Sequence, residues 1–255
     1  MALNILILSG TSEANQIALK LAGDPCFAVT LSLAGRTLSP KLPPVATRVG
    51  GFGGTAGLAA YLRAHNVGLL IDATHPFAER ISANAVIAAE TASLPLIALE
   101  RPAWQPLPGD RWTRVRSLEA AATALPDIPA RVFLTVGRQS LTPFAAKPQH
   151  HYVIRVIDPP DIPPAMRDVE IIVGRGPFAL EQELATLRQH QIDWLVSKNS
   201  GGKAASAKLA AARALELPVI MVERPARERI GTVATVDAVL RAVTRVHDGL
   251  EKRAV

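Results

Sequence analysis

Asp72, Thr74 and His75 fall close together in the run Asp72-Ala73-Thr74-His75-Pro76-Phe77-Ala78. A carboxylate, a hydroxyl and an imidazole in one short stretch can orient a ligand through hydrogen bonds. His75 can also move a proton, because an unperturbed imidazole titrates near neutrality. Two roles stand open for His75: a catalytic proton donor, and a neutral group that positions a cofactor. Asp72 either caps the turn that follows or holds a cofactor hydroxyl. Val67-Gly68-Leu69-Leu70-Ile71, just before, is apolar, too short for a helix and bounded by turn residues, so it reads as a buried parallel strand. The segment from Glu79 to Ala92 has helical periodicity. The polar group therefore sits at the carboxyl end of a strand, facing a helix amino terminus, where open α/β sheets bind ligands.

Other strand ends carry matching features. Leu3 to Leu8 is a short apolar strand, then Ser9-Gly10-Thr11-Ser12-Glu13 leads into a helical face from Ala14 to Leu21. A helix amino terminus offers unpaired N–H groups and a positive dipole end, and so attracts anions. Thr11 or Ser12 can cap this helix. Of the three glycines of the dinucleotide fingerprint only Gly10 is present. The next strand, Phe27 to Leu33, ends in Ala34-Gly35-Arg36. An acidic residue at that place holds the ribose 2′-hydroxyl of NAD, whereas an arginine suits the 2′-phosphate of NADP. Arg36 therefore points to NADPH. Gly50-Gly51-Phe52-Gly53-Gly54 precedes another helix, and Gly51 and Gly53 would let backbone approach the same cofactor closely.

Alternation of strand and helix over the first hundred or so residues implies a parallel sheet with right-handed crossovers. A proline-rich connector from Arg101-Pro102 to Pro108-Gly109 marks a domain boundary, giving 1–101 and 102–255, the latter ending in a helix through Val239, Leu240, Val243 and Val246. The second half repeats the logic. Arg138, Arg175 and Lys198 each follow an apolar run and a parallel sheet would gather them on one rim. Asn199, Ser200, Gly201 and Lys203 lie on the same turn as Lys198, and with the three cations form the candidate substrate contacts.

Composition narrows the partners. A net charge of +6 favours anionic ligands, but the basic residues are scattered and aromatics are only 4%, which speaks against nucleic acid. No apolar run is long enough to span a membrane. The single cysteine, Cys26, reads as a small core residue and fits a reducing cytoplasm. His65, His190 and His247 read as solvated helix residues, and His150-His151 has no acidic partner close in sequence. No spacing suggests a metal site. Two rivals to a reductase remain on these residues: a non-catalytic two-domain binding protein for an anionic small molecule, and an S-adenosylmethionine-dependent methyltransferase. The latter predicts an acidic residue where this chain has Arg36.

Taken together the motifs resemble the precorrin-6A reductase family of the cobalamin (vitamin B12) pathway, including its cobalt-precorrin-6A counterparts. The resemblance runs through Ile7 to Ala14, Ala34-Gly35-Arg36, Gly50 to Gly54, Asp72 to Ala78, Gly174-Arg175-Gly176-Pro177-Phe178, and Ser197-Lys198-Asn199-Ser200-Gly201-Gly202. Asp72 to Ala78 is its most specific part. The family commonly has glycine where this chain has Ser9. The resemblance implies two Rossmann-like domains, each a mainly parallel sheet flanked by helices, with NADPH and a polycarboxylate tetrapyrrole in the cleft between them. It implies hydride transfer to one double bond of precorrin-6A, or of its cobalt form, to give precorrin-6B. Gly10, Thr11, Ser12 and Glu13 would then approach the cofactor, Arg36 its 2′-phosphate, and Thr74 and His75 its nicotinamide half. The product would pass on to neighbouring pathway enzymes.

Overall fold

The computed structural model describes residues 2–35, 42–225 and 231–254. The chain forms two compact units, residues 1–101 with 226–255, and residues 102–225. In chain order the first part contains β1 (Leu3–Leu8), α1 (Ser12–Leu21), β2 (Phe27–Leu33), β3 (Ala46–Val49), α2 (Thr55–Ala64), β4 (Leu69–Asp72), α3 (Glu79–Thr91) and β5 (Leu96–Leu99). The second unit holds β6 (Arg111–Val115), α4 (Leu118–Thr123), β7 (Arg131–Thr135), β8 (His151–Val156), β9 (Val169–Val173), α5 (Leu180–Gln189), β10 (Trp194–Lys198), α6 (Ala207–Ala214) and β11 (Pro218–Val222). The chain then returns to the first unit with β12 (Thr232–Val233) and α7 (Val236–Ala254).

Each unit has a six-stranded sheet. Their orders are β12-β5-β4-β1-β2-β3 and β6-β11-β10-β7-β8-β9. All pairings are parallel. Counted outward from β1, the first is the strand order of dinucleotide-binding Rossmann sheets. The second has the same order counted from β7, except that its outermost strand, β6, comes first in the chain rather than last.

Strands covered on both faces explain the unbroken apolar runs in the sequence. In the first sheet Ile5, Ile7, Leu69 and Ile71 face α1 and α7, through Ile17, Ala18, Leu21, Val239 and Val243. Leu6, Leu8 and Leu70 face the other way, against Leu58 and Leu62 of α2 and Ala85, Ala88 and Ala89 of α3.

The expected domain 102–255 is corrected at its carboxyl end. The terminal helix forms, but it belongs to the first unit. Its Val239, Leu240, Val243 and Val246 join the apolar cluster of α1, Lys20 Nζ meets Asp237 Oδ1 at 2.9 Å, and β12 pairs with β5. The stripe on α7 requires an apolar partner, and the open face beside α1 supplies it. Cys26 is likewise corrected, being exposed rather than in the core.

Candidate functional site

In the first sheet β1 and β4 are neighbours, with Leu8 opposite Asp72, and the strand order reverses between them. The turns after these two strands are thereby brought together. Thr11 Oγ1 donates to the Ala73 carbonyl at 2.7 Å and accepts from the Ala14 N–H at 3.2 Å, so one hydroxyl both caps α1 and ties it to β4. Such a cap contributes about 1 kcal/mol. Gly10 has φ +153°, and a Cβ there would lie 3.6 Å from the His75 nitrogen. There is room for that carbon; the backbone conformation is what calls for glycine.

Glu13 is held by a residue the sequence did not single out. Arg101 Nη1 meets both Glu13 oxygens, at 3.0 and 2.9 Å, in a largely buried pair. The arginine offsets the one acidic side chain in the first turn of α1 that would oppose an anionic ligand at this helix end. Arg101 follows β5, and its role could have been anticipated only from the need to balance Glu13.

The Asp72–Ala78 stretch is braced from within. Asp72 Oδ1 accepts from the Thr74 N–H at 3.0 Å and the Thr74 hydroxyl at 2.6 Å, while Thr74 Oγ1 lies 3.2 Å from Ser82 Oγ of α3. Asp72 and Thr74 are both buried, and Asp72 Oδ1 caps the turn that follows β4. His75 is half-buried and its Nδ1 accepts from the Phe77 N–H at 3.2 Å. A backbone N–H can only donate, so Nδ1 carries the lone pair and the neutral ring bears its hydrogen on Nε2. Gly35, Gly51 and Gly53 are exposed at the ends of β2 and β3. Arg36 lies outside the described residues.

The second sheet has its own reversal, between β7 and β10. The turns after these strands are linked by Lys198 Nζ donating to Ser140 Oγ at 2.7 Å, which brings the segments carrying Arg138 and Lys198 together. Arg138 is half-buried, and Arg175 and Lys203 are exposed. Asn199 is 1% exposed, and its amide is committed to the connector: Oδ1 accepts from the Trp104 N–H at 2.8 Å and Nδ2 donates to the Trp104 carbonyl at 3.1 Å. Gly201 has φ +63°, and a Cβ there would stand 2.2 Å from the Pro102 carbonyl oxygen. Both residues hold the turn against the connector, and Ser200 is buried with them.

The second unit also holds a buried charged cluster. Arg155 of β8 and Glu183 of α5 form two hydrogen bonds of 2.8 Å, and the Arg155 guanidinium packs over the rings of Phe178 and Phe133, 4.0 and 5.0 Å from their centroids. Gly174 and Gly176 leave space for the Phe178 ring, where added Cβ atoms would lie 3.3 and 3.4 Å from it. The Gly174–Phe178 motif thus roofs Arg155. Lys208 of α6 donates to Thr135 Oγ1 at 3.0 Å, and burial, aided by the nearby Arg155 charge, pushes its ammonium down to about 7. An arginine within the apolar strand from His151 to Val156 was the visible sign that a buried partner must exist.

Away from these turns His65 is exposed as expected, and other histidines have acidic or aromatic neighbours. His151 Nδ1 lies 2.6 Å from Asp168 Oδ1, and His190 Nδ1 lies 2.9 Å from Glu170 Oε2, the acids arriving from around β9. His190 and His247 are half-buried, not solvated, and His247 stacks edge-on against Phe27. Among the described residues no cluster of three or more His, Cys, Asp or Glu side chains is placed to hold a metal, and no helix is long and apolar enough to cross a membrane.

Comparison with known proteins agrees with this arrangement. Residues 4–244 match the family model "Precorrin-6x reductase CbiJ/CobK". The chain is 52% identical over 239 residues to a precorrin-6A reductase of Sinorhizobium sp., covering 94% of this chain and 92% of that protein. It is 48% identical over 236 residues to the precorrin-6A reductase of Rhodobacter capsulatus, covering 92% and 94%. A solved structure of CobK precorrin-6A reductase superimposes with a TM-score of 0.91 at 46% identity, over 96% of this chain and 97% of that one. With two parallel Rossmann-like sheets and this likeness along nearly its whole length, the chain belongs to the precorrin-6x reductase family, the oxidoreductases of cobalamin biosynthesis.

Proposed function

We propose that this chain uses NADPH to reduce one double bond of cobalt-free precorrin-6A, giving precorrin-6B, in the cytoplasm. The observation that carries this reading is the joining of the Gly10–Thr11 turn to the Asp72–His75 stretch at the reversal between β1 and β4. Membership of a reductase family removes the methyltransferase and the non-catalytic binder. The names of the two relatives above support the cobalt-free substrate.

When bound, the cofactor supplies a hydride. The residues hold it in place. The amino end of α1, capped by Thr11, receives the pyrophosphate, and Gly10 lets it come close. Arg36 takes the 2′-phosphate, with Gly35, Gly51 and Gly53 beside the adenosine. The His75 ring and backbone border the nicotinamide, with Nε2–H as a neutral donor that orients rather than protonates. Ser12 lies at the exposed start of α1 beside the phosphates. On the second unit, Arg138, Arg175, Lys198 and Lys203 meet the acetate and propionate carboxylates of the macrocycle, on a turn shaped by Asn199, Ser200 and Gly201. Orientation of this kind can supply on the order of 7–11 kcal/mol of a reaction barrier. A conjugated macrocycle spreads charge by itself, which lessens the need for an acid.

Arg36→Ala is expected to raise the KM for NADPH about thirtyfold, the loss of about 2 kcal/mol from a charge-assisted contact, and to leave that for NADH nearly unchanged. Steady-state kinetics with both cofactors checks this. Equal losses for the two would remove the 2′-phosphate assignment.

A further inference from the structure

Arg48 lies on edge strand β3, just before the Gly50–Gly54 turn. It stands opposite Ser32 of β2 in the parallel register. Its Nη1 donates to Ser32 Oγ at 2.8 Å and to the Gly50 carbonyl at 3.0 Å, and Nη2 donates to the Gly51 carbonyl at 3.0 Å. The guanidinium plane lies over Phe52, 3.8 Å from the ring centroid, with Tyr61 at 5.2 Å. Phe52 and Tyr61 meet edge to face at 5.2 Å. From the other side Gly57 of α2 admits the Phe52 carbonyl so closely that a Cβ at this position would overlap it. The turn from Gly50 to Gly54, rich in the residue that loses most freedom on ordering, is therefore fixed by two hydrogen bonds from Arg48, itself anchored to Ser32, by a stacked ring and by a helix glycine. Only a planar fork of donors can hold two successive carbonyls and stack at once.

The ends of β2 and β3 lie on the side of the reversal that the adenosine half of a dinucleotide occupies in sheets of this order. We infer that Arg48 is a positioning residue for the adenosine end of the cofactor: it preforms the Gly50–Gly54 turn. The inference rests on the cofactor reading above. A turn already in its bound shape spares the cofactor the cost of ordering it. Because the hydrogen bonds of Arg48 hold Ser32 and the turn backbone, its effect through the turn does not distinguish a 2′-phosphate from a 2′-hydroxyl. That separates it from Arg36.

The test uses Arg48→Met and Arg48→Lys in the full chain, each first shown by circular dichroism to melt cooperatively. Dissociation constants are measured for NADPH and NADH, and steady-state constants for the reaction. Arg48→Met is expected to weaken both cofactors by about tenfold, with kcat within about twofold and the KM for precorrin-6A unchanged, the pattern of lost uniform binding. Arg48→Lys keeps the charge without the fork and is expected to weaken both cofactors as well. If Arg48→Met does not fold, the lysine variant decides alone. Wild-type affinity in Arg48→Lys, or a loss confined to NADPH, would overturn the inference, since charge alone would then suffice. Failure of the wild-type protein to bind either cofactor would instead overturn the cofactor reading.

Discussion

Glu183→Ala is expected to lower the unfolding free energy by about 3–5 kcal/mol, the cost of stripping a buried ion of its partner. Glu183 is 1% exposed, and both its oxygens are bonded to Arg155 at 2.8 Å. Without the carboxylate the guanidinium stays against Phe178 and Phe133 and has no acid to balance it. Water reaches it poorly, as the Arg155 side chain is only 10% exposed. Urea unfolding monitored by circular dichroism reads the loss directly. The paired variant Arg155→Met with Glu183→Leu is expected to recover most of it, because a buried ion pair and a well-packed apolar pair differ little in net stability. A single-variant loss below about 1 kcal/mol, the range of exposed pairs, would show the pair to be solvated.

The second large effect belongs to Lys208 and depends on pH. The unfolded chain keeps a proton on this lysine up to about pH 10.5, the folded chain only up to about 7. Between those values unfolding takes up a proton, so stability rises with pH; below 7 both states are protonated and the gain is absent. Burial of the ammonium is the main cause, with the Arg155 charge adding to it and Glu183 opposing it. Integrated from pH 7 to 10.5 this one group contributes about 5 kcal/mol. Lys208→Met is expected to flatten this alkaline rise and to be at least as stable as the parent at pH 7. The Thr135 hydroxyl keeps its bond to the Val196 carbonyl, at 3.0 Å, in that variant. The readout is the difference between parent and variant unfolding free energies across pH 7 to 9, and an unchanged slope in Lys208→Met would place the titrating group elsewhere.

The sheets were legible because both their faces are buried. Runs such as Ile5 to Leu8 and Leu69 to Ile71 stay apolar without alternation, and each ends at a polar turn. Which strand lies beside which is a long-range fact with no local sign. The stripe on α7 announced burial but not the face of α1 that receives it, and a two-residue strand such as β12 has no pattern to read. The same limit shaped the site. Gly10 and His75 were each visible as strand-end residues, whereas the hydrogen bond from Thr11 to Ala73 that unites them depends on β1 pairing with β4. Asn199 was visible as a polar side chain after a strand, but its two bonds to the connector backbone at Trp104 span 95 residues of sequence and have no local sign. Nothing local marks Glu183 either, since its partner Arg155 comes from another element. Arg48 was hidden in the same way, since two of its partners are backbone carbonyls that any residue would present and the third, Ser32, lies on another strand.

The most direct test of the account follows a labelled hydride. Under anaerobic conditions the wild-type protein is mixed with precorrin-6A and NADPH deuterated at nicotinamide carbon 4, in each of its two faces separately, and the macrocycle is examined by mass spectrometry. The account predicts that NADPH is consumed in step with substrate and that deuterium from a single face appears in the reduced product. Oxidation of NADPH without label in the macrocycle, or no oxidation at all, would contradict it.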